Sequence, residues 1–185
     1  FPMDKGGDYR RWFGNNFAVV NWQYDGKEIR DNIIRKYPYL KGNPDFVAKN
    51  PSRYFQPGIT WGKITSGSFS ARFSPQGSIF SDAGMKAFTL KENATPLPIL
   101  GLLNSKIATF FLSAFSETMN YEQGNIARLP FAELSTDHLH SIVNVSKADW
   151  DAYEISWNFI GLPLLDFGFR QPTLNATYQT LRSHW

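Results

Sequence analysis

The stretch from Gly58 to Leu90 constrains the fold more than any other part of the sequence, because strand-like runs alternate there with turn signals. The runs are rich in β-branched and aromatic residues, which favour strands. They are 59–61, 63–65, 68–73, 78–81 and 86–90. The turn signal Pro75-Gln76-Gly77 separates the third run from the fourth. The sequence therefore predicts a small mixed or antiparallel sheet over about residues 58–90.

Alternation within the third run predicts where its side chains point. Phe69 and Phe73 fall on one face of a strand, and Ser70 and Arg72 fall on the other. We expect the aromatic face to pack on a core. The polar face is then expected to point outward, with Lys63 beside it.

A core helix is predicted to cover the apolar face of that sheet. Proline suits a first helical turn, and apolar residues from Ile99 to Phe110 recur at helical spacing. These features predict a helix over about residues 97–115. The combination of a small sheet, a covering helix and a helical C-terminal segment predicts an α+β fold.

Shorter signals predict the rest of the chain. The dipeptide Asp25-Gly26 predicts a turn before a short helix from Glu28 to Arg35. Residues 120–131 predict a turn and a short strand. Ser135 and Ser146 each offer an N-cap, which predicts two helices in succession. We expect residues 1–131 to form one domain and residues 132–185 to form a helical connector or docking segment.

Composition limits the class of protein. The chain has no cysteine, which excludes disulfides and thiolate metal sites. Its most apolar run, 99–115, contains Asn104 and Lys106, and is too short and too polar to cross a bilayer. The sequence begins without a signal-peptide pattern, and Phe1 in place of methionine suggests a piece of a longer protein. We expect a soluble, cytoplasmic protein.

Charge is distributed unevenly along the chain. Residues 1–92 carry 14 Lys and Arg against 8 Asp and Glu, whereas residues 93–185 carry 5 against 8. The half that contains the predicted sheet is therefore basic, and the other half is acidic. This asymmetry suggests an anionic partner for the N-terminal half, although a solvated basic surface without a partner has the same composition.

The sequence offers no convincing catalytic or metal-binding set. An adenine methyltransferase needs an Asn/Asp-Pro-Pro-aromatic loop, which is absent, and no Gly-rich nucleotide loop follows a strand. Asp25-Gly26-Lys27 matches half of a nuclease motif, but Pro44-Asp45 follows it rather than precedes it. His138 and His140 would point to opposite sides of a helix. We therefore predict a non-catalytic chain without metal or cofactor.

Basic, hydroxyl and amide side chains are those that contact nucleic acid, where Lys and Arg bind phosphate and polar groups read base edges. The candidate DNA-binding residues are Arg10, Arg11, Lys63, Ser66, Ser70 and Arg72. Two alternatives stay open: Arg72 pairing with Asp82 across the hairpin, and Arg10-Arg11 forming a solvated loop. Tyr54, Phe55, Trp61, Phe69 and Phe73 are predicted to be core residues.

The order of several short motifs resembles that of a known family. The motifs are Lys5-Gly6-Gly7, Tyr9 to Asn15, Val19 to Trp22, Tyr54-Phe55, Gly58 to Trp61, Ser70 to Phe73, Gly77 to Phe80, Leu102 to Lys106, Gly124 to Ile126, Leu129-Pro130 and Ser146 to Phe159. Together they resemble the C-terminal target-recognition region of BREX-type (PglX) phage-defence adenine methyltransferases, which are relatives of type IIG restriction-modification enzymes. Residues 120–123 differ from the sequence that is usual at this position in the family.

The resemblance implies a role in selecting a DNA site. In that family a preceding catalytic domain binds S-adenosylmethionine and carries the Asn-Pro-Pro-aromatic loop, so only recognition transfers to this chain. The implied partners are double-stranded DNA, the methyltransferase domain of the same protein and other defence-system proteins. The predicted function is thus sequence recognition for adenine-N6 DNA methylation.

Two alternative functions remain open from the sequence. One is a protein-docking module that links the methyltransferase to other defence subunits, suggested by the acidic second half with Trp150, Trp157 and Phe159. The other is an aromatic-rich glycan-binding module. The basic N-terminal half and the missing secretion signal argue against the glycan module.

Overall fold

Two three-stranded sheets lie at the centre of the computed structural model, which describes residues 1–65, 67–90, 94–115, 120–131 and 135–184. The strands are β1 (Pro2–Asp4), β2 (Ala18–Val19), β3 (Gly58–Gly62), β4 (Ala71–Ser74), β5 (Ile79–Phe80) and β6 (Gly84–Ala87). The helices are α1 (Gln23–Lys36), α2 (Leu97–Leu103), α3 (Lys106–Phe115), α4 (Gln123–Ala127), α5 (Leu139–Asp151) and α6 (Leu174–His184). The fold is α+β, as predicted.

The larger sheet is antiparallel and confirms the core of the sequence prediction. Its strand order is β4-β3-β6, and Thr60 in the central strand lies opposite Arg72 on one side and Lys86 on the other. The first β6 residue, Gly84, must be glycine, because a Cβ there would lie 2.4 Å from the backbone oxygen of Asp4. The N-terminal strand therefore crosses very close to this sheet.

The smaller sheet corrects the prediction that all the runs share one sheet. Strand β5 does not join the larger sheet. It pairs in parallel with β1, with Met3 opposite Ile79, while β1 pairs antiparallel with β2. Two backbone hydrogen bonds of 2.9 Å, from Phe55 to Ser78 and from Gly77 to Phe55, join the turn between β4 and β5 to the chain just before β3. The start of the chain thus supplies the partner strand for β5.

The predicted helix over 97–115 is present as two helices, α2 and α3, which meet at a bend of 63°. The break falls at Asn104, which follows the last residue of α2. Its side chain forms two hydrogen bonds with the backbone of Ala71, at 2.9 and 3.0 Å. Ser105 then caps α3 by accepting a 3.1 Å hydrogen bond from the Ala108 N–H. In the part of the chain that the structure describes, no single helix is long and apolar enough to cross a membrane. Of the described helices, only this bent pair, taken together, has the length and composition that a membrane span requires.

The main core lies between the larger sheet, α2 and α5, so the prediction that a helix covers the apolar sheet face is confirmed. Its buried members include Ile59, Trp61, Ala71, Leu100, Leu103 and Trp150. A second core forms around Trp22, Ile33, Tyr54 and Ile79 beneath α1. The predicted core aromatics Tyr54, Trp61 and Phe69 are buried, whereas Phe55 and Phe73 are half-buried.

Three local predictions differ from the structure. Residues 123–127 form helix α4 rather than a strand, and among the described residues nearby Asn120 forms a β-bridge with Ile64. One continuous helix, α5, replaces the two predicted helices, with Ser146 in its interior. The end of the predicted helical segment contains 3₁₀ turns at Pro163–Leu165 and Phe167–Phe169, followed by α6. The short helix after Asp25-Gly26 is confirmed within α1.

Candidate nucleic-acid interface

Arg72 and Ser70 are buried, which contradicts the predicted outward orientation of both residues. Arg72 is 2% exposed and Ser70 is 8% exposed. Burial lowers the pKa of the Arg72 guanidinium to about 10, with Asp4 acting in the opposite direction, so Arg72 stays protonated at neutral pH. Neither side chain can reach a DNA duplex in this conformation.

The N-terminal segment lies against both the edge and the polar face of this sheet. At the edge of β4, Trp12 donates its backbone N–H to the Ala71 oxygen at 2.9 Å and accepts from the Phe73 N–H at 2.7 Å. Over the face, Asp4 accepts a 2.6 Å hydrogen bond from Ser74, which lies on the same side of β4 as Arg72. The Arg10 N–H donates to the Ser70 hydroxyl at 3.3 Å. The sequence prediction assumed that one sheet face meets solvent, as antiparallel sheets often allow. Here a segment from the start of the chain covers it.

The suggested pairing of Arg72 with Asp82 does not form. Within the described residues, Nε and Nη2 of Arg72 have no hydrogen-bond acceptor. The hydroxyl of Thr60, which lies directly opposite Arg72 on β3, has no hydrogen-bond partner among them either. Asp82 instead pairs with Lys63 at 3.2 Å and with Lys49 at 3.6 Å. The buried guanidinium is therefore a structural feature of the sheet and not part of an exposed surface.

Arg10 joins two distant parts of the chain. Its guanidinium forms an ion pair with Asp149, lies 4.9 Å from the ring centre of Trp150, and donates from Nε to the Phe13 oxygen at 3.1 Å. This arrangement ties the N-terminal segment to α5 and rules out the solvated-loop alternative for Arg10. Arg11 is half-buried, and its guanidinium lies 5.6 Å from the ring centre of Tyr9. The contact of Arg11 with DNA stays a prediction.

A buried polar cluster that sequence reasoning missed anchors β1 to the larger sheet. One carboxylate oxygen of Asp4 accepts hydrogen bonds from Ser74 at 2.6 Å, Ser78 at 2.7 Å and Lys86 at 3.0 Å. The Lys86 amine also donates to both serine hydroxyls, at 2.7 and 2.9 Å. Burial lowers the pKa of Lys86, and Asp4 counteracts part of that shift. The cluster spans β1, β4, β6 and the start of β5.

Lys63 lies at the surface and forms ion pairs with two carboxylates. It pairs with Glu122 at 3.2 Å and with Asp82 at 3.2 Å, and these hydrogen bonds raise its pKa. The hydrogen bond from Lys63 in turn lowers the pKa of Asp82, which is ionised at neutral pH. Lys63 stays a predicted DNA-contacting residue, and Ser66 lies outside the described residues.

Two cavities adjoin at Asp82. The Arg53 cavity, of about 380 Å³, is lined by Lys49, Arg53, Phe80 and Phe88 among others, and the Lys5 cavity, of about 480 Å³, by Lys5, Gly6, Phe17 and Lys63. Asp82 is the only carboxylate that the described residues contribute to either lining. The accessible cations Lys5, Lys49, Arg53 and Lys63 thus form one surface, which we call the cationic surface.

The groups that line this surface suit the binding of an anion or of a planar ring. Among residues 1–65, 67–90, 94–115, 120–131 and 135–184, no three His, Cys, Asp or Glu side chains are grouped so that they could hold a metal ion. The lining of the two cavities combines cations, amides, hydroxyls, aromatic rings and one carboxylate with apolar side chains such as Val47, Ile64 and Met85. These groups can bind an anion and stack on a planar ring.

Sequence comparison relates the chain to large methyltransferases. It is 36% identical over 163 residues to the adenine-specific methyltransferase PglX of Lacticaseibacillus casei (strain Zhang), and 34% identical over 166 residues to the adenine-specific methyltransferase BrxX of Escherichia coli O9:H4 (strain HS). Each alignment covers 86% of this chain but only 13% and 12% of those relatives, so the chain spans about an eighth of their length. No protein-family model matches the chain.

Proposed function

The chain belongs to the family of BREX adenine-specific methyltransferases, and we propose that it acts as a DNA target-recognition module of a full-length enzyme of this family. In this proposal the module holds duplex DNA and helps to select the site. Another part of the full-length protein binds S-adenosylmethionine and methylates adenine. The parts of the chain that the structure describes then need no catalytic group of their own.

The cationic surface is the observation that carries this proposal. Lys5, Lys49, Arg53 and Lys63 lie around two adjoining cavities in the basic half of the chain. Neutralising phosphates with such side chains releases counterions and supplies much of the affinity for DNA. Asn50, Ser52 and Ser81 in the same lining offer amide and hydroxyl groups of the kind that contact base edges.

This surface differs from the one that the sequence predicts. Of the predicted residues that the structure describes, only Lys63 belongs to it, because Ser70 and Arg72 are buried and Arg10 is paired with Asp149. Arg11 lies on the covering N-terminal segment. We therefore centre the proposed interface on the turn between β5 and β6, where Asp82 separates the two cavities.

The salt dependence of DNA binding tests the proposal. We expect the full-length protein to bind duplex DNA with an affinity that falls as salt rises, by about 0.9 log units per phosphate contact for each tenfold increase in salt. Lys49→Gln with Arg53→Gln should reduce the magnitude of that slope by about 2. Binding that does not change between low and moderate salt would contradict a role in DNA recognition.

A matched control uses Lys106→Gln with Arg182→Gln. This pair removes the same two charges from exposed positions on α3 and α6, which line neither cavity. We expect the control to bind DNA with the slope of the unmodified protein. If both pairs of substitutions changed the slope equally, binding would depend on net charge alone, and the cationic surface would not be the interface.

A second candidate function, protein docking, is favoured by one specific feature of the C-terminal segment. Large apolar side chains are exposed there, with Ile160 100% and Phe167 82% exposed, and Trp157 exposed as well. Trp150 and Phe159, which the sequence also suggested as docking residues, are buried and half-buried. Exposed apolar groups of this size often mark protein contacts.

Purified components distinguish docking from DNA recognition. Ile160→Glu with Phe167→Glu should abolish co-elution of the full-length protein with another purified subunit of its defence system, if docking is the role of this segment. DNA affinity should remain unchanged. Loss of DNA affinity with co-elution intact would contradict the docking candidate.

A further inference from the structure

The Arg53 cavity has the size and the lining of a small-molecule site. It lies between the 3₁₀ turn Pro51–Arg53 and strands β5 and β6, and its volume of about 380 Å³ falls in the range of roughly 300–1,000 Å³ that ligand pockets occupy. We propose that this cavity binds a single nucleotide, with the base against aromatic rings and the phosphate at Arg53.

The aromatic wall of the cavity suits a planar base. Phe80 lies 5.2 Å from Tyr54 and 5.5 Å from Phe88 between ring centres, with 86° and 60° between the ring planes, so the three rings form one edge-to-face cluster. Tyr54 is buried, whereas Phe80 and Phe88 are half-buried and line the cavity. Bases of every type stack on such rings because each base presents a π face.

The phosphate position follows from the partners of the cations. Within the described residues, the Arg53 guanidinium has one side-chain hydrogen bond, from Nη1 to the amide oxygen of Gln56 at 3.2 Å, and no carboxylate within ion-pair distance. It also lies 5.8 Å from the ring centre of Phe88. Its remaining donors match the geometry of phosphate oxygens, next to the ring on which the base would stack.

The other cations that line the cavity already have carboxylate partners. Lys49 pairs with Asp82, which also pairs with Lys63. Lys86 has its charge opposed by Asp4. This distribution of charge orients the nucleotide with its phosphate at Arg53, while Asn50, Ser52, Ser81 and Gln123 remain for the base edge and sugar.

The nucleotide has two chemical sources that share this recognition. It is either a free nucleotide or one nucleotide displaced from the stack of a DNA duplex, and the second source rests on the proposed function. Base displacement costs less at unpaired positions than at paired ones, so a duplex with one bulged nucleotide presents the ligand more readily than a fully paired duplex. Both sources require the same contacts with Arg53 and Phe88.

Nucleotide binding by the full-length protein tests the proposal. Thymidine 5′-monophosphate is the probe, because it avoids any adenine-binding site elsewhere in the protein, and calorimetry measures its Kd. We expect Arg53→Gln to weaken binding at least tenfold and Phe88→Leu several-fold, with thymidine that lacks the phosphate binding at least tenfold less tightly. Arg35→Gln is the matched control, because Arg35 also donates to a side-chain amide oxygen, that of Asn32 at 2.9 Å, but lies outside the cavity.

A second measurement compares a duplex containing one bulged thymidine with the fully paired duplex. A preference for the bulged duplex that Arg53→Gln abolishes identifies DNA as the source, and an equal affinity together with thymidine monophosphate binding identifies a free nucleotide. Kd values for the monophosphate within twofold of each other in the unmodified protein and Arg53→Gln would overturn the inference. If Arg53→Gln lowers the melting temperature, Arg53→Lys, which keeps the charge but loses the paired donors, takes its place.

The two proposals fail in different ways. Absence of duplex binding with monophosphate binding intact contradicts the DNA-recognition function but leaves the nucleotide site in place. Salt-dependent duplex binding that is reduced by Lys49→Gln with Arg53→Gln, in a protein that binds no monophosphate and shows no preference for the bulged duplex, contradicts the nucleotide site alone.

Discussion

Arg72 shows how a single buried cation affects this fold. Its guanidinium is almost fully enclosed, and two of its nitrogens have no acceptor among the described residues. A buried donor without an acceptor forfeits the hydrogen bonds that it makes with water in the unfolded chain, which costs about 1–3 kcal/mol. Arg72 is therefore expected to lower stability relative to an apolar side chain of similar length.

Arg72→Met tests this expectation at the scale of one residue. Methionine is flexible and of similar length, so it fills the space without unmatched donors, and we expect the free energy of unfolding to rise by about 1–3 kcal/mol. Urea denaturation of the chain and its variant measures the change. The slope of DNA affinity against salt should stay the same, because Arg72 is not exposed. A fall in stability of 2 kcal/mol or more would mean that Arg72 has strong partners in solution.

The alternation of side chains along the third run correctly predicts which face of the strand packs on the core. It does not predict that the opposite face is also buried. Phe69 and Ala71 lie in the core as the pattern of the third run predicts. The pattern cannot predict that Trp12, some sixty residues earlier, pairs with the edge of this strand, or that Asp4 bonds to Ser74 on the face that carries Arg72. Outward polar residues and residues beneath a second layer have the same alternation, so this part of the candidate site was not predictable.

At the scale of elements, β1 depends on the cluster formed by Asp4, Ser74, Ser78 and Lys86. The strand has only three residues and pairs with β2 and β5 over two residues each, so it forms few backbone hydrogen bonds. The ion pair between Asp4 and Lys86 is almost fully enclosed, with both serines bonded to it. Since the segment that follows β1 includes Lys5 and Gly6 of the Lys5 cavity, the cluster also positions one edge of the cationic surface.

Asp4→Asn is predicted to be strongly destabilising. It leaves the buried Lys86 amine without its counter-charge, and removing one partner of a buried pair typically costs about 3–5 kcal/mol. Adding Lys86→Met should recover much of that loss, because the uncompensated charge is then gone. Chemical denaturation of the two single variants and the double variant forms a double-mutant cycle that measures the coupling.

The control for this cycle is Asp31→Asn on α1. Asp31 forms a 2.6 Å pair with Lys27, but both side chains are exposed, so the substitution should change stability by no more than about 0.5 kcal/mol. Equal effects of Asp4→Asn and Asp31→Asn would show that the buried cluster does not anchor β1.

Some elements with local signals were predictable, and elements with distant partners were not. The position of α2 follows from its proline-flanked apolar run, whereas the cap signal at Ser146 was misleading, because Ser146 lies inside α5. The break between α2 and α3 depends on Asn104 bonding to Ala71, which lies 33 residues away in sequence. The partner of β5 lies even further away, at the start of the chain.

At the scale of the whole molecule, α5 belongs to the same core as the larger sheet. Trp150, Leu139 and Val143 are buried in the cluster that contains Ile59 and Trp61. The ion pair from Arg10 to Asp149 and the hydrogen bond from Trp157 to the Asn16 oxygen join the same two regions. The division into residues 1–131 and 132–185 stays a prediction for function, but these contacts predict that the two regions unfold together.

Trp150→Ala tests that cooperativity. Trp150 is 4% exposed, and truncating a buried tryptophan to alanine typically costs about 3–5 kcal/mol, because the packing is lost and a cavity remains. Far-ultraviolet circular dichroism and tryptophan fluorescence should report one coincident urea transition in the unmodified chain, shifted to lower urea by the substitution. Trp157→Ala, at an exposed position, should cost only about 1 kcal/mol. Two separate transitions, with Trp150→Ala shifting only one of them, would instead mean that α5 folds independently of the sheet that carries the cationic surface.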